Sequence, residues 1–329
     1  MNVLRRRFLS LTAGAIVLPI LSRAACAQTY PARPITIIVP FLPGGVSDVM
    51  ARLMAEPMRA FLGQSVIIEN VAGAGGSIGA VRAVRAAADG YTLSIGTTSS
   101  HVLTGALYSL RWDLVKDFDP VGPLISEPLM IVGRKGLPAQ NLSELVAWLK
   151  ANAHKASQGT AGVGGLGHVT GLVFQRETST LFQFVPYRGG GPALQDLLAG
   201  LIDLEMEPSS NFLEQLRAGN LVAYAVAAKT RLATAPAVPT VDEAGLPGFY
   251  RSIWIGLWLP KGTSRDIAGK LSAAVQVALA DPELRRRIAE LGQEIFPPEQ
   301  RTPAGLGALQ AAEIEKWWPV IKAANIKGE

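Results

Sequence analysis

The chain has 329 residues, of which 49% are hydrophobic and 17% charged, a make-up that excludes a disordered or fibrous protein. At about 100–200 residues per domain it has room for two domains with sizeable cores, well beyond the size that needs disulfide staples. Its one cysteine, Cys26, has no partner within the chain, and its formal charge of +5 comes largely from arginines near the start.

The first element in chain order reads as an export signal. Arg5-Arg6-Arg7 precede an apolar stretch from Phe8 to Leu21, and Ala25-Cys26-Ala27 spells an A-x-A cleavage site. Cleavage after Ala27 leaves 302 residues, 329 minus 27, and takes Arg5, Arg6, Arg7 and Arg23 away, bringing the charge from +5 to +1. The same start fits the twin-arginine pattern R-R-x-F-L, so Sec and twin-arginine routes both remain open, and each predicts a periplasmic protein. Arg23 interrupts the run that lipidation of Cys26 requires. The rest has no dense basic stripe with interleaved aromatics, which argues against nucleic acid as a partner. No later apolar run reaches the roughly 20 residues of a membrane helix.

Residues 28 onward alternate short apolar runs with helical patterns. Ile35-Thr36-Ile37-Ile38-Val39 reads as a central strand, apolar on both faces. The loop Pro40 to Gly45 follows, then a helix from about Ser47 that Pro57 is expected to kink or shorten. The unit repeats with strand Val66 to Ile68, the loop Gly73-Ala74-Gly75-Gly76, a helix through Ile78, Val81 and Val84, and strand Tyr91 to Ile95. A second series begins near Pro128 with strand Leu129 to Val132 and a helix marked by the capping-box spacing of Asn141 and Glu144. Strands near Gln158 to Thr160, Phe182 to Val185 and Val222 to Val226 alternate with helices. After a Pro-rich stretch, strand Trp254 to Trp258 leads to helices at about 264–280 and 281–291, with Asp281-Pro282 as N-cap and first helical residue. The pattern predicts an α/β protein with open, doubly wound, mostly parallel sheets.

Ligands of such sheets sit where strands end and helices begin, because the free amides and positive dipole ends there attract anions. Glycines stand at these places: Gly44-Gly45, Gly73 to Gly76, and Gly162, Gly164, Gly165 and Gly167. Tight turns alone would explain any one of these loops. Gly162-x-Gly164-x-x-Gly167 spells a dinucleotide fingerprint, but the next strand ends in Tyr187-Arg188 where an acidic residue belongs. Gly75-Gly76-Ser77-Ile78-Gly79 spells a nucleophile elbow, yet a small-residue loop separates Ser77 from the preceding strand. The three histidines, His101, His154 and His168, have no zinc spacing, so neither metal nor cofactor is expected. Asp203, Glu205 and Glu207 alternate on a short strand and would share one face, where they would meet a cationic ligand, solvent or basic neighbours. Trp254, Trp258, Trp317 and Trp318 read as packing residues.

Taken in order, several segments carry a resemblance: Tyr30 to Pro34, Pro40-Phe41-Leu42-Pro43-Gly44-Gly45-Val46-Ser47-Asp48, Glu69 to Gly79, Asp89 to Leu93, Val185 to Gly189, Val238 to Gly245 and Trp254-x-Gly256-Leu257. The whole chain beyond the signal resembles the Bug-type periplasmic solute-binding proteins of tripartite tricarboxylate transporters. The resemblance implies a non-enzymatic, two-domain Venus flytrap of the type II periplasmic binding protein class, with domain 1 as 28–125 plus 253–329 and domain 2 as 126–252. It implies capture of a small carboxylated solute for membrane subunits of a transporter, by a monomer; a role feeding a sensor is the alternative, and a hydrolase built on Ser77 the remote one. Leu42, Pro43, Gly44, Gly45 and Asp48 match the first ligand loop, and Gly162, Val163, Gly164, Gly165 and His168 the second. Ser99, Tyr187 and Glu207 complete the candidate ligand-binding set. Gly165 stands where such proteins usually carry serine, and Glu205 where they usually carry an apolar residue.

Overall fold

The structure, a computed structural model, describes residues 29–328; the export signal, Cys26 and the cleavage site after Ala27 lie outside them. In chain order the elements are β1 (Ile35–Val39), α1 (Val46–Leu62), β2 (Val66–Asn70), α2 (Ser77–Val84), β3 (Thr92–Thr97), α3 (Thr104–Leu107), β4 (Phe118–Arg134), α4 (Leu142–Ala151) and β5 (Ser157–Thr160). There follow α5 (Leu166–Thr178), β6 (Gln183–Pro186), α6 (Gly190–Ala199), β7 (Leu204–Pro208), α7 (Leu213–Arg217), β8 (Leu221–Val226), β9 (Ser252–Pro260), α8 (Arg265–Ala280), α9 (Pro282–Glu290), β10 (Glu294–Ile295) and α10 (Pro303–Ala323).

The apolar runs become strands where both faces are covered. β1 is buried along nearly its whole length and pairs in parallel with β2 and β3. α1 buries Met50, Ala51, Met54, Met58 and Leu62 against that sheet. This packed stripe carries the helix through Pro57 to Leu62, so the expected shortening does not occur; proline removes one backbone bond and the apolar face outweighs it. Gly63, at φ +71°, ends it in the left-handed conformation that glycine adopts without a steric penalty.

The strand order β2-β1-β3-β9-β4-β7-β5-β6, with β8 and β10 also on β4, makes two lobes that share one strand. β4 pairs antiparallel with β9 from Phe118 to Pro128, then with β7 and β8 from Leu129 to Arg134. Within the lobes β2-β1-β3 and β7-β5-β6 are parallel, as the alternation of strands and helices predicts. The long first half of β4 is absent from the sequence reading, because Pro120, Pro123 and Pro128 argue against a central strand. The register against β9 shifts between Pro120 and Gly122 and again between Pro123 and Ile125, bulges that accommodate prolines lacking a donor. Also unforeseen is α10, which opens on the Thr302 cap and Pro303 and buries Leu306, Gln310, Trp317 and Ile321.

At the crossing between lobes lies Glu127, fully buried on β4. Its Oε1 accepts from the Ser209 hydroxyl (3.2 Å) and the Ser210 amide (2.6 Å), just past β7, and its Oε2 accepts from Gln293 Nε2 (2.9 Å), just before β10. The carboxyl thus ties together segments of both lobes at the shared strand.

α2 approaches the chain after β1 so closely that a Cβ on Gly79 would lie 2.7 Å from both the Pro40 Cα and the Val71 carbonyl oxygen. Both are backbone atoms and cannot swing aside. A Gly79→Ala variant should therefore lose about 1–3 kcal/mol of stability, read as a lower urea midpoint at unchanged slope.

Candidate functional site

The loops that end β1, β2 and β3 converge at one edge of the first lobe. Gly76 packs where a Cβ would lie 3.3 Å from both Phe41 Cζ and Pro40 Cβ and 2.7 Å from Ser100 Cβ, so the three loops touch. In the first loop, Leu42, Pro43, Gly44 and Gly45 are all exposed, Leu42 at 53%. Asp48, in the first turn of α1, is only 2% exposed and holds this loop from within. Its Oδ2 accepts from the Gly44 amide and from Arg52 Nε, each at 2.9 Å, and its Oδ1 accepts from Asn70 Nδ2 at 3.0 Å. The same Asn70 amide group donates to the Phe41 carbonyl at 3.0 Å. Burial raises the Asp48 pKa, but the bonds from Arg52, Gly44 and Asn70 outweigh it and hold the carboxyl below its usual range. Asn70 and Arg52 were not singled out in the sequence; the only signal was the position of Asn70 at the end of a strand beside the loop. Ser99 opens a π-helical turn, Ser99–Leu103, with its amide donating to Thr97 Oγ1.

The second lobe offers a matching edge. Gly162 (φ +139°) and Gly164 (φ +72°) take backbone conformations that side chains rarely adopt. The Gly164 amide donates to His168 Nδ1 at 2.8 Å, and the ring lies 4.3 Å from Phe184, where burial lowers its pKa and keeps it neutral. Gly164 also faces Leu107 of α3, so the loops of the two lobes meet. The Tyr187 hydroxyl donates to Asp196 Oδ2 at 2.6 Å; burial and this carboxylate push it up to about 12. Glu207 takes the Ala161 amide on Oε1 at 3.0 Å, directly beneath the glycine loop. Val163 and Gly165 are half-buried in that loop.

The acidic alternation resolves into three different situations. Asp203 pairs with Arg134 Nε at 2.9 Å and accepts from the Ser157 amide, which removes it from the ligand question. Glu207 keeps one amide partner. Glu205 is fully buried and neither carboxylate oxygen has a hydrogen-bond partner in the protein. Burial, with Glu207 adding repulsion, raises its pKa to about 9, and burial raises that of Glu207 to about 7 despite the Ala161 amide.

The arrangement does not assemble a nucleophile. Ser77 begins α2, seven residues past the last residue of β2, after a short 3-10 turn at 74–76. His101 is fully buried, stacked on Trp258 at 4.2 Å and close to the Ser94 and Ser100 hydroxyls. Burial alone drives it down to about 3, so it stays neutral and moves no proton to Ser77. Among the described residues no group of three or more His, Cys, Asp or Glu side chains could hold a metal, and no helix is long and apolar enough to cross a membrane.

One contrast runs through the helices of eight residues or more. α4, α8, α9 and α10 begin on Asn141, Ser264, Asp281 and Thr302, whose side chains accept from the first-turn amides. α1, α2, α5 and α6 begin on Gly45, Gly76, Gly165 and Gly189, with no side-chain cap. These four follow the glycine-bearing loops after β1, β2, β5 and β6, so no side chain caps their first turns, the places that attract anions, although in α2 the Ser77 amide donates to the Ala74 carbonyl.

Comparison with known proteins agrees with this geometry. Residues 50–326 match the family model described as the tripartite tricarboxylate transporter family receptor. The structure of the periplasmic binding protein BugD superposes with a TM-score of 0.83 at 35% identity, over 91% of this chain and 99% of that one. MatC from Rhodopseudomonas palustris, solved with bound malate, gives 0.83 at 39% identity over 89% and 100%. A second R. palustris protein, solved with adipate, gives 0.85 at 30% identity over 91% and 99%.

Two outcomes follow from the carboxyl groups. Asp48→Asn removes the acceptor that serves Arg52 and Gly44 and should cost about 1–3 kcal/mol; because the native pKa is depressed, wild type should lose this advantage as pH falls below about 4. Glu205 and Glu207 have raised native pKa values, so they favour folding below the unfolded carboxyl pKa and lose that contribution as pH rises through about 7 and then about 9. Thermal unfolding of ligand-free wild type should therefore fall with alkaline pH, and Glu205→Gln should flatten the profile and stabilise at pH 8 by about 1–3 kcal/mol.

Proposed function

Since the chain belongs to the tripartite tricarboxylate transporter family of receptors, we propose that it captures a small carboxylate-bearing solute between its two lobes and presents it to the membrane subunits of a transporter. The fold is the two-domain Venus flytrap of periplasmic binding proteins, and the protein is a solute-binding receptor rather than an enzyme. The observation that carries the reading is the set of four glycine-started, uncapped helices beside four side-chain-capped ones.

Each helix start contributes on the order of 0.3–1 kcal/mol to an exposed anion and more when closure excludes water. Several together hold a carboxylate without a fixed cation. The solved relatives bound to malate and adipate support this chemistry. In this reading Leu42 to Gly45 and Ser99 meet the solute from domain 1, residues 28–125 plus 253–329. Gly162 to Gly165, His168, Tyr187 and Glu207 meet it from domain 2, residues 126–252. Asp48 acts through the loop it holds. The bond between Gly164 and His168 keeps the second loop in one shape and takes one amide out of ligand binding. Binding energy gained only when both loops engage favours the closed form, the form the membrane subunits would recognise. The chain works as a monomer in the periplasm, exported through Sec or the twin-arginine route and cleaved after Ala27.

Thermal unfolding of the cleaved protein against a panel of dicarboxylates, tricarboxylates, aromatic acids and amino acids tests the proposal. A true ligand at 100 times its Kd should add about 2.7 kcal/mol, at about 2–4 °C for each kcal/mol. Absence of any shift in protein first stripped by unfolding and refolding would overturn it.

A further inference from the structure

The charge of the second-lobe edge is lopsided. Glu205 and Glu207 are two residues apart on β7, so they leave the same face of the strand. Glu207 sits under the Gly162 loop through its bond to the Ala161 amide, and Gly167 in the first turn of α5 has no Cβ because one would run into the Glu207 carboxylate. Glu205 extends beside it, opposite Gly159 of β5, fully buried and with both oxygens unpartnered. The charged and titratable groups around the pair are committed elsewhere. Arg134 pairs with Asp203, Tyr187 donates to Asp196, and His168 accepts from Gly164. Among the described residues nothing cationic bonds to either glutamate.

We propose that Glu205 and Glu207 form a cation-accepting end of the cleft, so that the captured solute carries an ammonium group opposite its carboxylate. This rests on the capture reading above and narrows it to a zwitterionic class. An ammonium has three donors and a full charge, enough to engage both free oxygens of Glu205 and share Glu207. An ammonium supplies the counter-charge that lets both buried carboxyls ionise, whereas a second ligand carboxylate would bring a third acidic group to an end with no cation. Each lobe thus has one carboxylate beneath its glycine loop, Asp48 on the Gly44 amide and Glu207 on the Ala161 amide, but only the second lobe adds an unpartnered one, Glu205. With its nitrogen at the unpartnered Glu205 on β7, the solute extends its carboxylate toward the glycine starts of the first lobe, Gly45 and Gly76.

Isothermal titration of the stripped, full-length cleaved protein with linear dicarboxylates and with ω-amino acids of matching length, adipate against ε-aminocaproate among them, decides the matter. Glu205→Gln and Glu207→Gln are titrated in parallel, after their unfolding temperatures show that they are folded. The expected result is that the ω-amino acids bind at least about tenfold more tightly than the matching diacids in wild type, and that each variant reduces this ratio about tenfold. A merely structural role would change the unfolding temperature and leave the ratio untouched. Diacids binding as well as the ω-amino acids, with the ratio unmoved in both variants, would overturn the proposal and leave the capture reading standing. Failure of both series in wild type would overturn the capture reading and this one with it.

Discussion

Two lobes that must approach each other need a connection stiff enough to keep their edges in register and narrow enough to bend. β4 meets that need by hydrogen-bonding into both sheets along 17 residues, with its partner changing from β9 to β7 and β8 between Pro128 and Leu129. β9 returns the chain alongside it, so the crossing consists of neighbouring strands rather than a loose linker. The glycine loop after β5 meets Leu107 of the first lobe only if the shared strand holds its register, so the proposed site depends on this arrangement. Glu127, bonded to Ser209, Ser210 and Gln293, fastens flanking segments at the point where the ladder changes partner.

The site itself follows from a choice between two ways of finishing a helix. A side-chain cap satisfies the first-turn amides permanently. A glycine start leaves them to water or to a ligand, and it also lets the loop backbone approach closely. The chain uses side-chain caps at α4, α8, α9 and α10 and glycine starts at α1, α2, α5 and α6, the helices that follow the glycine loops. Asp48 shows the accompanying cost in design: a buried carboxylate with three protein partners is needed to keep one short exposed loop in place.

Much of this was legible from residues alone. The apolar runs of β1, β3 and β9, the glycine loops and the caps at Asn141 and Asp281 are local signals, and local signals survive without tertiary context. The first half of β4 was hidden because its prolines act locally as strand breakers, and only pairing with bulges against β9 makes room for them. α10 was hidden by Gly305, Gly307 and Pro319 within its span; its stability comes from Trp317, Ile321 and Leu306 packing on elements far away in sequence. In the site, the positions of the loops were readable but the inward direction of Asp48 and the isolation of Glu205 were not. Both depend on which neighbours the fold brings near, and a carboxylate looks the same in sequence whether it is exposed, paired or alone.

The division between capped and glycine-started helices also separates two kinds of mutational tolerance. Changes at Asn141, Ser264, Asp281 or Thr302 withdraw a cap from the scaffold, while in the proposed capture reading changes around Gly45, Gly76, Gly165 and Gly189 alter what the cleft accepts without withdrawing one. Ligand preference in such a molecule is free to drift from one lineage to the next while the frame that carries it stays folded.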